Sequence, residues 1–268
     1  MNKHSLFGVF AMVSTLAILG IPGVDLGQQA ARASQPVSAP ASALVEPDAM
    51  AALNRMGAYL RTLDTFAVTG ETTIDEVTDA GEKLQFGGSV LLQARRPDKL
   101  RAEVDSDRKQ RQFIYDGTTF TVYAPRVGYF ASVPAPRSIR ELLAMAEQKY
   151  DIHFPLSDLF RWGTDDAATA AIREAAIIGP ARIDGFICEH VAVREKDIDW
   201  QVWIEQGKTP VPRKLVITTK GEPEQPQYVA VMHWNVNPRF EASTFTFVAP
   251  KGANRIPLRS HDAAPAAK

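Results

Sequence analysis

The chain has 268 residues, 45% of them hydrophobic, and a formal net charge of -1 at pH 7. This length and composition allow a sizeable buried core, and the nearly neutral charge gives no basis for a nucleic-acid or anionic-membrane partner. Cys188 is the only cysteine, so an internal disulfide is excluded and the fold must be stabilised by packing.

The first 33 residues have the pattern of a secretory signal peptide. A basic start at residues 2–4 precedes an apolar run at 6–21, and the small residues up to Ala33 fit a cleavage site. We therefore predict export with cleavage after Ala33. The alternative is an uncleaved anchor, because the apolar run is at the short limit for spanning about 30 Å of hydrocarbon. Residues 34–47, rich in Ala, Ser and Pro, are predicted to form a flexible tether.

An amphipathic helix is predicted where the folded domain begins, near Asp48. Its large apolar residues recur at helical spacing and are Met50, Leu53, Met56, Leu60 and Leu63. Such a stripe requires an apolar surface to pack on, so we interpret it as part of the core.

Six strands are predicted next, at 66–75, 83–95, 99–105, 108–115, 118–123 and 128–133. Turn residues separate them, and Asp116-Gly117 favours a two-residue hairpin loop. Consecutive strands should therefore pair antiparallel. The regular alternation of 99–105 predicts a sheet with one solvated and one buried face, and Gly87-Gly88 is interpreted as a bulge or bend.

A helical insert is predicted to interrupt the sheet between residues 138 and 176. Ser138 and Glu141 form a capping box for its first helix, and a second short helix begins at Pro155. Thr164 is the predicted N-cap of a third helix over 167–176. The insert is longer than a typical loop, so we expect it to have a function of its own.

The strands resume after Gly179-Pro180, at 186–194, in the hairpin 199–219, at 227–236 and at 245–247. No compositional break divides the two halves, so a single domain over 48–256 is predicted. Residues 257–268 are predicted to be a disordered tail.

Few residues suggest catalysis. Cys188 and His190 share one face of a predicted strand, which allows a nucleophilic pair, but we favour a half-buried structural pair because a reactive thiol requires an accessible, electropositive setting. Metal-ligand spacing, a phosphate loop and a nucleophile elbow are all missing from the sequence. We therefore predict no catalytic residue, no metal and no cofactor.

Four arginines, Arg95, Arg96, Arg101 and Arg111, occur in neighbouring predicted strands. They allow a basic patch for lipid headgroups or acidic partners. The alternative, which we favour, is an ordinary solvated sheet face, because Glu103 is interleaved among them.

The apolar helices are too few to form a second layer of their own and must cover the buried face of the sheet. The interior is then either a solid core or an apolar cavity with a helical lid. The candidate cavity residues on the strands are Phe66, Val68, Leu84, Phe86, Val90, Leu92, Leu100, Val104 and Trp200. Those on the insert are Leu142, Leu143, Met145, Leu156, Phe160 and Trp162.

Several stretches resemble the LolA/LolB-like superfamily of lipoprotein carriers. They are the strand start R-R-P-D-K-L-R-A-E-V, the hairpin F-I-Y-D-G-T-T-F-T-V-Y, the hairpin from W-Q-V-W-I-E to P-R-K-L-V-I-T, and the terminal F-T-F-V-A-P-K-G. More narrowly, D-L-F-R-W-G-T-D and G-P-A-R-I-D-G-F-I-C-E-H are similar to predicted periplasmic proteins of unknown function within that superfamily.

The resemblance implies an α+β fold, a single curved antiparallel half-barrel of about eleven strands covered on its concave face by the N-terminal helix and the helical lid. It implies a non-catalytic periplasmic monomer that binds or carries a lipid, a lipoprotein acyl chain or another hydrophobic ligand. The alternative is an envelope-associated sensor or assembly scaffold with a filled interior and an envelope protein as its partner.

Overall fold

The computed structural model describes residues 44–162 and 169–260. The predicted signal peptide, the predicted tether up to residue 43, the N-cap Thr164 and the tail from residue 261 lie outside these residues.

One curved, unclosed sheet contains all the strands of the described residues. The strands are β1 (Thr65–Val77), β2 (Lys83–Arg95), β3 (Lys99–Ser106), β4 (Gln110–Tyr115), β5 (Thr119–Ala124), β6 (Tyr129–Pro134), β7 (Glu174–Ile183), β8 (Phe186–Arg194), β9 (Ile198–Glu205), β10 (Pro212–Thr219), β11 (Gln227–Asn235) and β12 (Asn254–Arg255). The helices are α1 (Pro47–Thr62) and α2 (Ile139–Tyr150), with 3-10 helices at Pro125–Val127, Ser157–Phe160 and Ala242–Phe245.

The strand order is β12-β6-β5-β4-β3-β2-β1-β11-β10-β9-β8-β7. Within β1–β6 and within β7–β11, strands adjacent in sequence pair antiparallel, whereas the short β12 runs parallel to β6. Strand β7, at one edge of the sheet, is partly covered by residues 44–46. Glu46 N donates to Ala175 O, and Ala175 N donates to Leu44 O. The predicted half-barrel is therefore confirmed.

Two predicted elements are wrong. Residues 174–176, predicted to end a helix, begin strand β7, which pairs along its length with β8. Of residues 245–247, predicted as a strand, Phe245 ends the 3-10 helix Ala242–Phe245 and is 1% exposed, and the next two residues are not in a strand. In both segments, pairing or burial by distant parts of the chain determines the structure and overrides the local preference.

Gly87 and Gly88 do not form the predicted bulge, because the register of β2 with β1 is continuous through both. A Cβ added at Gly88 would lie 2.8 Å from Asp105 O, so this glycine permits a close approach of two strands. Register shifts occur instead at Ile177/Gly179 and at Pro212/Lys214. The β4–β5 loop is not the type I′ turn that Asp-Gly favours, which requires a positive φ at both central residues, since only its Gly117 has a positive φ, of 96°.

The core fills much of the concave face of the sheet. Phe66 and Val68 of β1 pair with Ala94 and Leu92 of β2, and all four are buried against the helices. Helix α1 contributes the predicted apolar stripe, with Met56 at 0% and Leu60 at 2% exposure. Helix α2 begins as predicted, because the Ser138 hydroxyl oxygen accepts a hydrogen bond from Glu141 N at 3.2 Å. None of the described helices is long and apolar enough to cross a membrane.

Candidate functional site

A groove of about 730 Å³, here called the main groove, lies on the part of the concave face that the helices leave uncovered. Strands of both halves of the sheet form its floor, and α2 together with residues 151–158 forms its wall. The apolar floor residues are Ile74, Phe86, Val90, Val104, Phe113, Val122, Ile217 and Tyr228. The apolar wall residues are Leu143, Ile152, Phe154, Pro155 and Leu156.

The wall segment after α2 is fixed by its own aromatic anchor. The ring of Phe154 lies 4.9 Å from that of Phe113 and 5.4 Å from that of Phe120. Asp151 and Leu156 both adopt left-handed backbone conformations, with φ of 53° and 55°. This conformation is unfavourable for leucine, and burial of the Leu156 side chain at 5% exposure compensates for it.

A second, smaller pocket of about 350 Å³ lies between α1 and strands β9 and β10. Trp162 and Trp200 form one side of it, with their ring centroids 6.1 Å apart. Trp200 Nε1 donates a hydrogen bond to Glu195 Oε1 at 2.7 Å, which orients the indole. Met50 and Leu53 of α1 face them, so this pocket is also mainly apolar.

Asp158 and Arg161 lie at the boundary of the two pockets and line both. Burial raises the pKa of the Asp158 carboxyl, and the neighbouring guanidinium of Arg161 opposes that increase. Arg161 also forms an ion pair with Glu147 of α2. Burial, followed by the nearby Asp158 carboxyl, raises the pKa of the Tyr228 hydroxyl. The boundary thus holds a polar cluster within otherwise apolar surroundings.

The structure separates the predicted cavity residues into distinct groups. Phe86, Val90, Val104, Leu143 and Leu156 line the main groove. Trp162 and Trp200 line the second pocket. Phe66, Val68, Leu92, Leu100, Leu142 and Phe160 are buried in the core, and Met145 packs against it. Leu84 is 43% exposed, because β2 extends beyond the helices at this end.

The four arginines predicted as a possible patch do not form one. Arg96 Nε donates to Leu63 O at 3.1 Å, and its guanidinium lies 5.3 Å from the centroid of the Phe160 ring. Arg95 packs over Phe245, and Arg101 pairs with Glu103 at 2.6 Å. Only Arg111 lines the main groove.

Cys188 and His190 do not form a nucleophilic pair. Cys188 is fully buried, and burial raises the pKa of its thiol. The His190 ring stacks on Trp203 at 4.0 Å, its Nε2 lies 3.0 Å from Gln201 Oε1, and burial lowers its pKa. Among the described residues, no group of His, Cys, Asp and Glu could hold a metal ion.

Several groove residues were not predicted from the sequence. Phe113, Val122 and Tyr228 lie in predicted strands, and the period of two, which puts each on one face with the residues two positions away, is the signal that could have identified them. Asp158 and Arg161 carry no such signal, because an acid and a base near a short helix are normally exposed.

Comparison with known proteins places most of the chain in one family model. The model of predicted periplasmic proteins, DUF2092, matches residues 49–259. The chain is similar to LprF from Mycobacterium bovis, at 14% identity over 78% of this chain and 99% of that one, with a TM-score of 0.45. It is similar to lipoprotein LppX from Mycobacterium tuberculosis, at 14% identity over 72% and 100% of the two chains, with a TM-score of 0.45.

A LolA superfamily protein from Nitrosomonas europaea is a further similar structure, at 12% identity over 74% of this chain and 97% of that one, with a TM-score of 0.32. The sequence has no significant match among curated proteins. The family match confirms the narrower of the two resemblances, that to predicted periplasmic proteins.

Proposed function

Because this chain belongs to the DUF2092 family of predicted periplasmic proteins, we propose that it acts in the periplasm, and we infer from the main groove that it binds a lipid or another hydrophobic ligand there. The proposed role is that of a non-catalytic binding or carrier protein.

The observation that carries this proposal is the incomplete cover of the concave face. Ile74 is 40% exposed, and Phe86, Val104 and Val122 remain half-exposed, although all four face the concave side. The groove volume of about 730 Å³ lies within the range of small-molecule sites, which is about 300–1,000 Å³. A hydrophobic ligand would remove these side chains from water, which stabilises the complex by about 25 cal/mol per Å² of apolar surface.

The first test uses protein purified from the periplasm of an expression host. Native mass spectrometry should detect a bound lipid, and solvent extraction should release it. The lipid-free protein should then take up a fluorescent fatty acid. The proposal would be rejected if no lipid co-purified and the protein took up no fatty acid.

A pair of tryptophan substitutions locates the binding site. Val104 lies on the groove floor, so Val104→Trp should block uptake of the fluorescent fatty acid. Val229 is equally half-buried but lies on the opposite face of the sheet, so Val229→Trp is the matched control and should bind normally. Equal loss of binding in both variants would place the ligand elsewhere.

Cleavage of the signal peptide after Ala33 is part of the proposal. Sequencing the N-terminus of the periplasmic protein should then begin at Ser34. Recovery of the uncut chain in the membrane fraction would instead support an anchor.

The second candidate function is an envelope-associated sensor or assembly scaffold. It is favoured by the filled part of the concave face, where Phe66, Leu92, Leu100 and Leu142 are at most 1% exposed and leave no room for a ligand. A lipid-free protein that fails to take up the fatty acid, yet is fully folded, would favour this function over lipid binding.

A further inference from the structure

One end of the main groove carries three basic side chains, Arg108, Lys109 and Arg111, here called the basic end. They lie at the turn between β3 and β4 and at the start of β4. Arg111 is the cross-strand partner of Val104 and alternates with Phe113, so the register places it on the concave face with these two floor residues. A half-buried arginine beside these apolar floor residues is unusual and requires an explanation.

Among the residues that line this end of the groove, three are basic and one, Glu76, is acidic. Arg108 pairs with Glu76 at 3.0 Å and lies 5.1 Å from the centroid of the Phe86 ring. Arg111 Nη1 donates to the backbone oxygen of Gln110 at 2.8 Å. Within residues 44–162 and 169–260, no carboxylate lies within ion-pair distance of Arg111 or Lys109.

The carboxylates on the opposite wall of the groove have basic neighbours of their own. Glu147 forms an ion pair with Arg161, and Asp158 faces the same guanidinium. Asp151 lies 3.3 Å from His153 Nε2. In the described part of the chain, none of these wall carboxylates forms an ion pair with the basic end, so they are not its counter-ions.

We propose that the ligand of the main groove is an amphiphile with an acidic headgroup, a carboxylate or a phosphate, which Arg111 binds together with Lys109 while the apolar tail lies on the groove floor. This inference rests on the proposed function. Arg111 can donate two hydrogen bonds to a carboxylate or phosphate, and Lys109 adds a mobile positive charge. Arg108 is occupied by Glu76 and by the Phe86 ring, so it would orient the site without being its main anion ligand.

The test compares ligands that share one acyl chain and differ only in the headgroup. Delipidated protein from the periplasm is titrated, below the critical micelle concentration of each ligand, with laurate, lauroyl-lysophosphatidylglycerol and neutral monolaurin. Calorimetry should show that at least one anionic ligand binds about tenfold or more tightly than monolaurin. Preference for laurate identifies a free fatty acid, and preference for the lysophospholipid identifies a phospholipid; either result supports the proposal.

Substitutions then assign the preference to the basic end. Arg111→Gln should weaken the binding of the anionic ligands much more than that of monolaurin and so abolish most of the anionic preference, and Lys109→Gln should reduce this preference by a smaller factor. Arg239→Gln removes an equal charge from an exposed position outside the groove and is the matched control. Added salt should weaken the binding of the anionic ligands to the wild type, because the basic end is open to solvent.

Two results would overturn the inference in different ways. Equal affinity of the wild type for charged and neutral ligands, or an equal loss for both in Arg111→Gln, would reject the acidic headgroup and leave the proposed function intact. No binding of any of the three ligands to the wild type would reject the proposed function as well.

Discussion

The indole rings of Trp162 and Trp200 lie 6.1 Å apart between their centroids, with their planes inclined by 28°. Because Trp200 is only 8% exposed and also donates to Glu195, Trp200→Ala should lower the free energy of unfolding by about 3–5 kcal/mol. Urea denaturation followed by circular dichroism measures this loss. Trp203, half-buried on the opposite face of β9, is the control, and Trp203→Ala should cost about 1 kcal/mol. Equal losses would contradict the burial difference.

Phe160 and Phe86 test the boundary between the core and the main groove. Phe160 is 5% exposed and its ring lies 5.6 Å from that of Phe66, so Phe160→Ala should lower the free energy of unfolding by about 3–5 kcal/mol. Phe86 is half-exposed on the groove floor, and Phe86→Ala should cost about 1 kcal/mol. Chemical denaturation of both variants measures these two losses in the free energy of unfolding. A mild effect at Phe160 would mean that the 3-10 helix Ser157–Phe160 is a replaceable lid.

Arg96 connects the end of α1 to the core through both its charge and its planar shape. Its guanidinium donates to Leu63 O at 3.1 Å and to Leu60 O at 3.5 Å. Arg96→Ala should therefore lower the free energy of unfolding by about 2 kcal/mol. Arg96→Lys should recover only part of this loss, because lysine lacks the fork of donors. Arg140 is exposed, so Arg140→Ala is the control. Unchanged stability of Arg96→Ala would show that water replaces the hydrogen bonds to these carbonyls without loss.

Asp158 should make stability depend on pH in a defined direction. Burial raises the pKa of its carboxyl in the folded state, partly offset by Arg161, so the folded protein favours the protonated form. The stabilising contribution is complete below the pKa of the unfolded chain and is lost as the pH rises through the folded pKa. The stability difference, wild type minus Asp158→Asn, should thus decrease from about pH 4 to pH 7 in urea titrations. An increase over this range would contradict the raised pKa.

Cys188 should be chemically inert in the folded protein. It has no exposed surface, and burial raises the pKa of its thiol, so little thiolate is available to react. A thiol-reactive chromophore near pH 8 should label it only after unfolding by denaturant. Rapid labelling of the native protein would restore the nucleophile hypothesis, and Cys188→Ala would then be assayed for lost reactivity.

The hairpins were predictable because their signals are local. Strands β2 and β8 have the predicted bounds, since alternation and flanking turn residues lie within the same short segments. Strand β7 was not predictable in this way, because its alanines favour a helix and its pairing with β8 and residues 44–46 decides its structure. Phe245 similarly alternates like a strand residue but is buried under Arg95.

The sequence could predict which face of the sheet holds the site, but not which part of that face the helices leave open. Alternation put Val90, Val104 and Leu92 on one face of the sheet, but it cannot tell how far a helix covers that face. Leu92 therefore lies in the core, Val104 lies in the groove, and Leu84 lies beyond both. The cover depends on where α2 and Phe154 pack, which is a tertiary property.

The pairing of β1 with β11 has a kinetic consequence. Every other antiparallel pair of the described sheet joins strands adjacent in the sequence, whereas this one joins Ala67 to Asn235. The blocks β1–β6 and β7–β11 can each grow from local hairpins, but the sheet becomes continuous only when distant parts of the chain meet. Gly70 lies at this junction, where an added Cβ would be 3.0 Å from Val231 O. The folding rate should therefore depend on closing one long loop, and far less on the number of strands.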